Sequence, residues 1–562
     1  MQNDPRNIRN GLEIPREHYC DQPYVVQTDD GAWLCCMTTA RGEEGAQTQH
    51  IVSVRSKDKG KTWEPLVDIE PPGPPEASYV TILKVPGHPL GHGRVYAFYN
   101  HNTDNLREVK ADTAYSRKRV DTLGHFVFKF SDDNGKSWSQ KRYEIPIRET
   151  QIDRENPYEG KVRFFWHVGR PLIHKGAAYV TLHKVGNFGE GFMTRSEGAF
   201  LRSDNILTER DPEKIRWETL PDGDIGLRSV KGPIAEEQSI VNLSDGSLYC
   251  VYRTTEGHPC HAYSRDDGKT WTAPAYMTYS PNGKLVKHPR AANFVWKASN
   301  GKFLYWFHNH GGKSYEGRNP AWLCGGVEKD GFIHWSQPEM VLYDPDPKIR
   351  ISYPDFIEDN GRYYLTETQK TIARVHEIDG SLLEGLWNQH ENKTVTRDGL
   401  VLDFTGPMPN QLKFSATSGF TLDFWWTPRD LTPNRVLLRG QGAGAFALST
   451  AADDTLQLQL TNAGANESWQ SDAGLLKEMR KHHVAVIADG GPGVVMFVID
   501  GVLCDGGTQR QYGWGRISPE LCRPQNVDLN LIPLFMQRMH NLRVYNRALR
   551  VSEAVANWRA GL

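Results

Sequence analysis

The chain has 562 residues, too long for one ordinary hydrophobic core, and its formal charge of −2 carries no long run of one sign. That balance excludes nucleic acid and membrane surfaces as expected partners. With 52 Gly, 33 Pro and 38% hydrophobic residues, the composition fits a turn-rich globular chain of two unequal all-β units.

The first residues, MQNDPRNIRN, contain no apolar targeting segment, and no apolar run reaches the roughly 20 residues that cross a bilayer. Two locations are therefore expected: secreted or periplasmic if a signal segment has been removed, otherwise cytoplasmic. Eight cysteines, with Cys35 and Cys36 adjacent, form neither a disulfide scaffold nor a CxxC metal site. Cys504 and Cys522 are the one pair left open for a disulfide. No metal and no cofactor is expected.

In chain order, the first strong signal is an octamer at Ser56-Lys-Asp58-Lys-Gly60-Lys-Thr-Trp63. It recurs at Ser131 to Trp138 and at Ser264 to Trp271, with weaker relatives ending at Trp217 and Trp335. Each is a hairpin device: Asp and Gly make the turn, Ser and Asp bond its backbone, and Trp packs the turn on the strands. A second repeat runs out of phase, as six apolar hairpins whose first residues fall near 22, 78, 169, 238, 290 and 353. Interleaved, the two repeats predict six four-stranded blades around an axis.

In such a wheel the residues just before each innermost strand line one shared pocket. They are Tyr19, Asp21 and Gln22; Glu76 and Ser78; Trp166, His167 and Arg170; Glu236, Glu237 and Gln238; His288 and Arg290; and Tyr353 and Asp355. Charged, aromatic and imidazole groups at these positions predict a polar binding pocket rather than simple strand caps.

Composition shifts near residue 380. The expected division is 1–380 for the propeller, 381–395 for a connector and 396–562 for a second domain. Phe420 to Pro428, His482 to Gly501 and Met539 to Trp558 resemble, in that order, the strands and closing segment of laminin-G and concanavalin-type jelly rolls. That resemblance implies either carbohydrate targeting or a brace against the first domain. The whole chain is read as all-β: a six-bladed β-propeller followed by a β-sandwich jelly roll.

The Trp-tipped octamer resembles the Asp-box of the sialidase (neuraminidase) superfamily, and the likeness spans about residues 15 to 372. Such propellers include enzymes and plain binding proteins, so the boxes speak to fold. The segment from Glu237 to Arg253 resembles the one in which the family's Glu and Arg are both active-site groups. Ile351-Ser-Tyr353-Pro-Asp355 resembles the segment bearing the family's tyrosine nucleophile, and Arg318 falls where the family places the last arginine of its carboxylate clamp. The resemblance therefore implies Tyr353 as nucleophile and Glu237 as its base, since a phenol of pKa about 10 needs activation. It implies Arg253 and Arg318 as substrate-binding groups, and the position of Arg170, Arg290, His167, His288, Gln22, Glu236 and Asp355 adds them as candidates.

Two positions depart from the pattern. Asp21-Gln22-Pro23 stands where the family opens with an arginine, and the loop Arg41 to His50 has no Asp where the family carries its acid. Glu43, Glu44, His50 or Asp21 are left as candidates for that role. The resemblance implies an exo-acting glycoside hydrolase of sialidase type that removes a terminal sugar, acidic or not and not necessarily sialic acid, from a glycan or polysaccharide. The alternatives are a propeller lyase using His167, Arg170 and Tyr353, and a glycan-binding protein without turnover.

Overall fold

The computed structural model describes residues 4–90, 92–404, 413–462 and 464–562. Among these residues six antiparallel sheets form the blades. Blade 1 is Tyr19–Gln27, Trp33–Ala40, His50–Ser56 and Val67–Asp68. Blade 2 is Ala77–Val85, Arg94–His101, His125–Ser131 and Tyr143–Glu144. In blade 3 the inner edge is split into Phe165–Trp166 and Leu172–His174, both paired with the long strand Ala177–Gly189. Blade 4 begins with Glu236–Asn242 and Leu248–Arg253, and blade 5 with Phe294–Lys297 and Phe303–Phe307. Blade 6, built from Phe356–Asp359, Arg362–Thr368 and Ala373–Ile378, takes its outer strand from the N-terminus: Leu12–Ile14 pairs with it, Leu12 opposite Val375. The ring is thus closed by segments far apart in sequence, and the outer strands of blades 1 and 2 are only two residues long, which keeps their edges short.

The octamers fold as their residue types require. In the first, Gly60 N–H donates to Ser56 Oγ at 2.8 Å and Thr62 N–H to Asp58 Oδ1 at 2.8 Å. Gly135 and Gly268 repeat the bond to Ser131 and Ser264, each at 2.8 Å. The three glycines have φ of 83°, 80° and 90°, a region that costs side-chain-bearing residues strain. Trp138 Nε1 reaches Ser53 Oγ of blade 1 at 2.9 Å, so this turn also pins neighbouring blades together.

The stretch 381–395, expected as a connector, opens with a helix, Gly380–Asn388, capped by Asp379. Its Leu382, Leu383, Leu386 and Trp387 are buried, and Trp387 Nε1 donates to the Phe303 carbonyl at 2.8 Å. A period near four in apolar residues, rather than a polar linker, is what drives this segment onto blade 5.

The second domain is a two-sheet sandwich. One sheet runs Leu400–Phe404, Met539–Tyr545, Gly419–Trp426, His482–Asp489, Val494–Ile499 and Val502–Leu503, with Gly515–Arg516 beside Val494–Ile499. The other holds Lys413–Phe414, Gln525–Leu531, Val436–Ala443, Ala445–Ala451, Thr455–Asn462 and Ala465–Gln470. Alternation puts Phe420, Leu422, Val484, Val486 and Phe497 between the sheets. The opposite face of the first sheet is apolar as well: Ala485, Ile487, Met496 and Val498 share a core with Tyr305, Phe307 and Trp322 of blade 5. A sheet greasy on both faces needs a cover on both, so the sandwich braces the propeller. Cys504 and Cys522 are buried free thiols.

Candidate active site

One irregularity, repeated in several blades, sets the site. The innermost strands of blades 1, 2 and 4 slip register between Asp21 and Tyr24, Ser78 and Thr81, and Glu236 and Ser239. At each slip one residue takes a left-handed backbone: Gln22 (φ 57°), Tyr79 (φ 60°) and Glu237 (φ 55°). Tyr353 does so at the entry to blade 6, with φ 48°. Such bulges turn a side chain off the regular pleat, and non-glycine residues stay in this region only where surrounding contacts hold them.

A cavity of about 400 Å³ opens at this end of the ring. Its walls include Glu44, Tyr115, Arg119, Trp166, Phe192, Arg253, Tyr315, Arg318, Tyr353 and Lys370. The Tyr353 hydroxyl donates to Glu237 Oε1 at 3.1 Å. Glu237 Oε2 lies 2.8 Å from Arg253 Nη1, and Arg253 Nη2 lies 2.6 Å from Glu236. Burial, with Glu236 alongside, pushes the Glu237 carboxyl up against the pull of Arg253. Burial and the Glu237 charge push the Tyr353 phenol up as well. For Glu236 burial opposes ionisation, but Arg253 and Arg290 outweigh it and hold the group at about 2.

Of the candidates, the fold brings Tyr353, Glu237, Arg253 and Arg318 together. Arg318 Nη1 meets Ser352 Oγ at 3.2 Å, and among the described residues no carboxylate lies within ion-pair distance of its guanidinium. Asp21 lies just behind the wall, 1% exposed, accepting from the Tyr19 hydroxyl at 3.0 Å and from Lys370 Nζ at 2.6 Å.

The remaining candidates are placed elsewhere, each for a visible reason. Arg170 bonds Asp355, the Phe356 carbonyl and the Val25 carbonyl, and borders a separate cavity with the far ends of the innermost strands. Asp355 is occupied by Arg170 and by the Val25 and Phe356 amides. His50 faces outward along blade 1, toward Thr48 and Asp68. The Gln22 amide donates to the His167 carbonyl, and His167 itself packs against Thr81 and Phe126 with no exposure. His288 is tied to the Ala291 carbonyl and the His308 amide. Glu236 is fully buried as the counter-charge of two arginines. Arg290 bonds the Gly191 and Met193 carbonyls and stacks on Tyr315, holding the rim rather than lining the cavity.

Lys370, Arg119, Tyr115 and Phe192 were not singled out from sequence. Arg119 and Tyr115 lie on the long stretch between His101 and His125, and Phe192 begins the strand after a hairpin turn in blade 3. The signal available was loop length, since a long insertion in a compact blade is commonly a binding loop. For Lys370 it was charge: a buried Asp21 requires a cation.

Residues 122–365 match the family described as BNR repeat-like domain, and residues 406–554 match the concanavalin A-like lectin/glucanases superfamily. No curated protein sequence matches the chain. Among solved structures, Trypanosoma rangeli sialidase is 14% identical with a TM-score of 0.44, covering 97% of this chain and 94% of that one. The intramolecular trans-sialidase from Ruminococcus gnavus in complex with oseltamivir carboxylate is 14% identical with a TM-score of 0.45, covering 67% and 98%. A protein of unknown function from Dyadobacter fermentans is 16% identical with a TM-score of 0.44, covering 66% and 97%. Two family models thus match separate parts of the chain, a BNR repeat-like domain within the six-bladed propeller and a concanavalin A-like domain within the two-sheet sandwich.

Proposed function

We propose that the chain is an exo-acting glycoside hydrolase of sialidase type, cleaving a terminal acidic sugar from a glycan. The observation that carries this reading is the Tyr353 to Glu237 hydrogen bond at the cavity wall, beside Arg318. A free phenol is a weak nucleophile, and a carboxylate within hydrogen-bond reach supplies the base it lacks. The raised Glu237 carboxyl suits that task, since a base whose pKa approaches the working pH accepts a proton more readily.

In the first step the Tyr353 oxygen attacks the anomeric carbon, its proton passes to Glu237, and the bond to the aglycone breaks, the aglycone oxygen taking up a proton from water in the open cavity. In the second, water attacks the anomeric carbon and gives a proton to Glu44, which passes it to solvent, while the bond to the tyrosine oxygen breaks and the phenol takes its proton back from Glu237. Two displacements give net retention. Glu44 lines the same cavity, and although burial opposes its ionisation, Lys370 and Arg119 outweigh that and hold it at about 2. An ionised Glu44 suits activation of the second-step water better than donation of a proton to the aglycone. The lyase reading loses support because His167 is fully buried and Arg170 borders a different cavity.

The test is covalent trapping. Incubation with fluorinated glycosyl fluorides of N-acetylneuraminic acid, glucuronic acid and galacturonic acid is expected to add one sugar mass to the peptide containing Tyr353. Adducts absent from that peptide across the panel, together with no turnover of the matching aryl glycosides, reject the reading in favour of glycan binding.

A further inference from the structure

We propose that Lys370 is the cation that recognises the substrate carboxylate, and that Asp21 is the residue that positions it. This rests on the hydrolase reading for its chemistry, but concerns recognition and is readable from binding alone.

Five cations line the cavity; Arg119 is paired with Asp121 and Glu44, Arg350 with Glu316, and three, Arg253, Arg318 and Lys370, are left to weigh beside Tyr353. Arg253 is already committed, with Glu236 at 2.6 Å and Glu237 at 2.8 Å. Arg318 has no carboxylate partner among the described residues, but its Nε and Nη1 donate to the Tyr315 carbonyl and the Ser352 hydroxyl, so its two-pronged fork is partly engaged and a second cation completes the match. Lys370 is that second cation. Its Nζ sits 2.6 Å from Asp21, 3.4 Å from Glu44 and 4.7 Å from the centre of the Tyr353 ring. An ammonium has three protons to donate: Asp21 takes one, the ionised Glu44 at 3.4 Å draws on a second, and one remains. An anion accepting from Lys370 therefore lies next to the carbon that Tyr353 would attack.

The backbone points the same way. Lys370 holds φ of 75° in the turn after Arg362–Thr368. It is kept there by the Cys20 amide, which donates to its carbonyl at 2.8 Å, and by its own amide donating to Thr368 Oγ1 at 2.9 Å. A lysine in that region, with its side chain only 17% exposed, is strained and partly desolvated where an exposed lysine on an ordinary turn pays neither cost. Asp21 is matched to it: Oδ1 accepts from the Gln22 amide, and Oδ2 from Tyr19 and Lys370. With both oxygens engaged and 1% exposure, Asp21 is placed to orient a cation rather than to reach an aglycone. Blade 1 therefore contributes the anion and blade 6 the cation of one pair.

Aryl α-glycosides of N-acetylneuraminic acid, glucuronic acid and galacturonic acid, each beside its methyl ester, read the proposal on the full chain. The native chain is expected to prefer one acid over its ester. Lys370→Met is expected to cut that preference by about 10- to 100-fold, the effect of losing one hydrogen bond to a charged group, with Lys370→Arg restoring most of it. Because Lys370→Met leaves Asp21 buried without its cation, the double variant Asp21→Asn/Lys370→Met controls for misfolding and should show the same loss. An unchanged acid-to-ester ratio in both variants overturns the proposal. If the native chain binds an acid over its ester in calorimetry but turns over neither, the hydrolase reading fails and the ratio of affinities still decides Lys370. If it neither binds nor turns over any of the acids, both fail.

Discussion

Tyr353 and Glu237, 116 positions apart in the chain, meet in one buried hydrogen bond of 3.1 Å, and each reaches it through a left-handed backbone. Tyr353→Phe removes the nucleophile and leaves the ring, so turnover of the aryl glycoside is expected to fall by at least 1,000-fold (~10³) while the fold is retained. Glu237→Gln keeps the shape and removes the base, with an expected loss of about 10²- to 10⁴-fold. Steady-state kinetics on both variants check this, with circular dichroism as the folding control. Full activity in either removes that residue from the reaction.

The pH dependence follows from the same pair. Burial raises Glu237, so the base stays protonated to a higher pH than an ordinary carboxyl of about 4.3. The active form is the ionised one, and the acid limb of kcat/KM is therefore expected above that value. Arg253 pulls the other way, so Arg253→Met is expected to move the limb higher still. A pH profile of native and variant, with the limb unmoved, would sink the assignment of Glu237 as the group that titrates.

Glu236 gives a stability prediction with a definite sign. Its folded pKa, held at about 2 by Arg253 and Arg290 against burial, lies below the unfolded value near 4.3. A depressed carboxylate contributes stability that is present above the unfolded pKa and lost as pH falls through the folded one. The contribution is on the order of 3 kcal/mol at neutral pH. Glu236→Gln strips the counter-charge from two buried arginines and is expected to cost about 3 to 5 kcal/mol there. Thermal melts of both proteins should converge as pH drops from about 5 to about 2. A gap that stays constant over this range would show the ion pairs add nothing.

The fold was legible because its signals are local and repeated. An octamer whose Ser, Asp, Gly and Trp each have one mechanical task announces itself in a single sequence, and alternating apolar hairpins give the remaining strands. Tyr353, Glu237, Arg253 and Arg318 were legible through segments resembling a known family. What failed was the rule that every residue before an inner strand faces the pocket. A one-residue slip in a strand flips its side chains, so the bulge that aims Glu237 at Tyr353 turns Glu236 onto Arg253 and Arg290, while Gln22, at the equivalent bulge of blade 1, spends its side-chain amide on the His167 carbonyl. Lys370 and Arg119 were hidden because they lie beyond strand ends, where no periodicity points to them. The helix Gly380–Asn388 was hidden because Gly and Ser begin it and its length barely exceeds two turns.

The octamer turns differ from ordinary glycine turns in how much room they have. A Cβ on Gly135, at φ 80°, would sit 2.4 Å from Leu34 Cδ1. One on Gly176, at φ 76°, meets nothing within 4 Å. Gly135→Ala thus bears both backbone strain and overpacking, about 2 to 5 kcal/mol together. Gly176→Ala bears only the first, about 1 to 2 kcal/mol. Denaturant titrations should rank them in that order. Equal losses would mean that the turn packs on blade 1 less tightly than its geometry implies.

Among the contacts that join the two domains, beside the shared apolar core and ion pairs such as Arg6 with Asp489 and Arg550 with Asp379, one carboxylate makes three bonds. Glu339 of blade 5 accepts from Ser552 N–H at 2.6 Å, Ser552 Oγ at 2.7 Å and Val551 N–H at 3.1 Å, capping the helix Val551–Ala560 that ends the sandwich. The helix carries its own N-cap, Arg550, whose amide donates to Glu553, and Glu339 adds from the other domain the acceptors for the next two amides, so helix stability and docking are coupled. An anion at a helix N-terminus also opposes the positive end of its dipole. Glu339→Ala removes all three bonds from buried donors and is expected to cost about 2 to 4 kcal/mol. Because the loss falls on the joint, calorimetry is expected to show one transition for the native chain and two for the variant, with the sandwich melting first. A lower midpoint without that division would place the cost inside blade 5 and leave the apolar face of Ala485, Ile487, Met496 and Val498 as what holds the domains together.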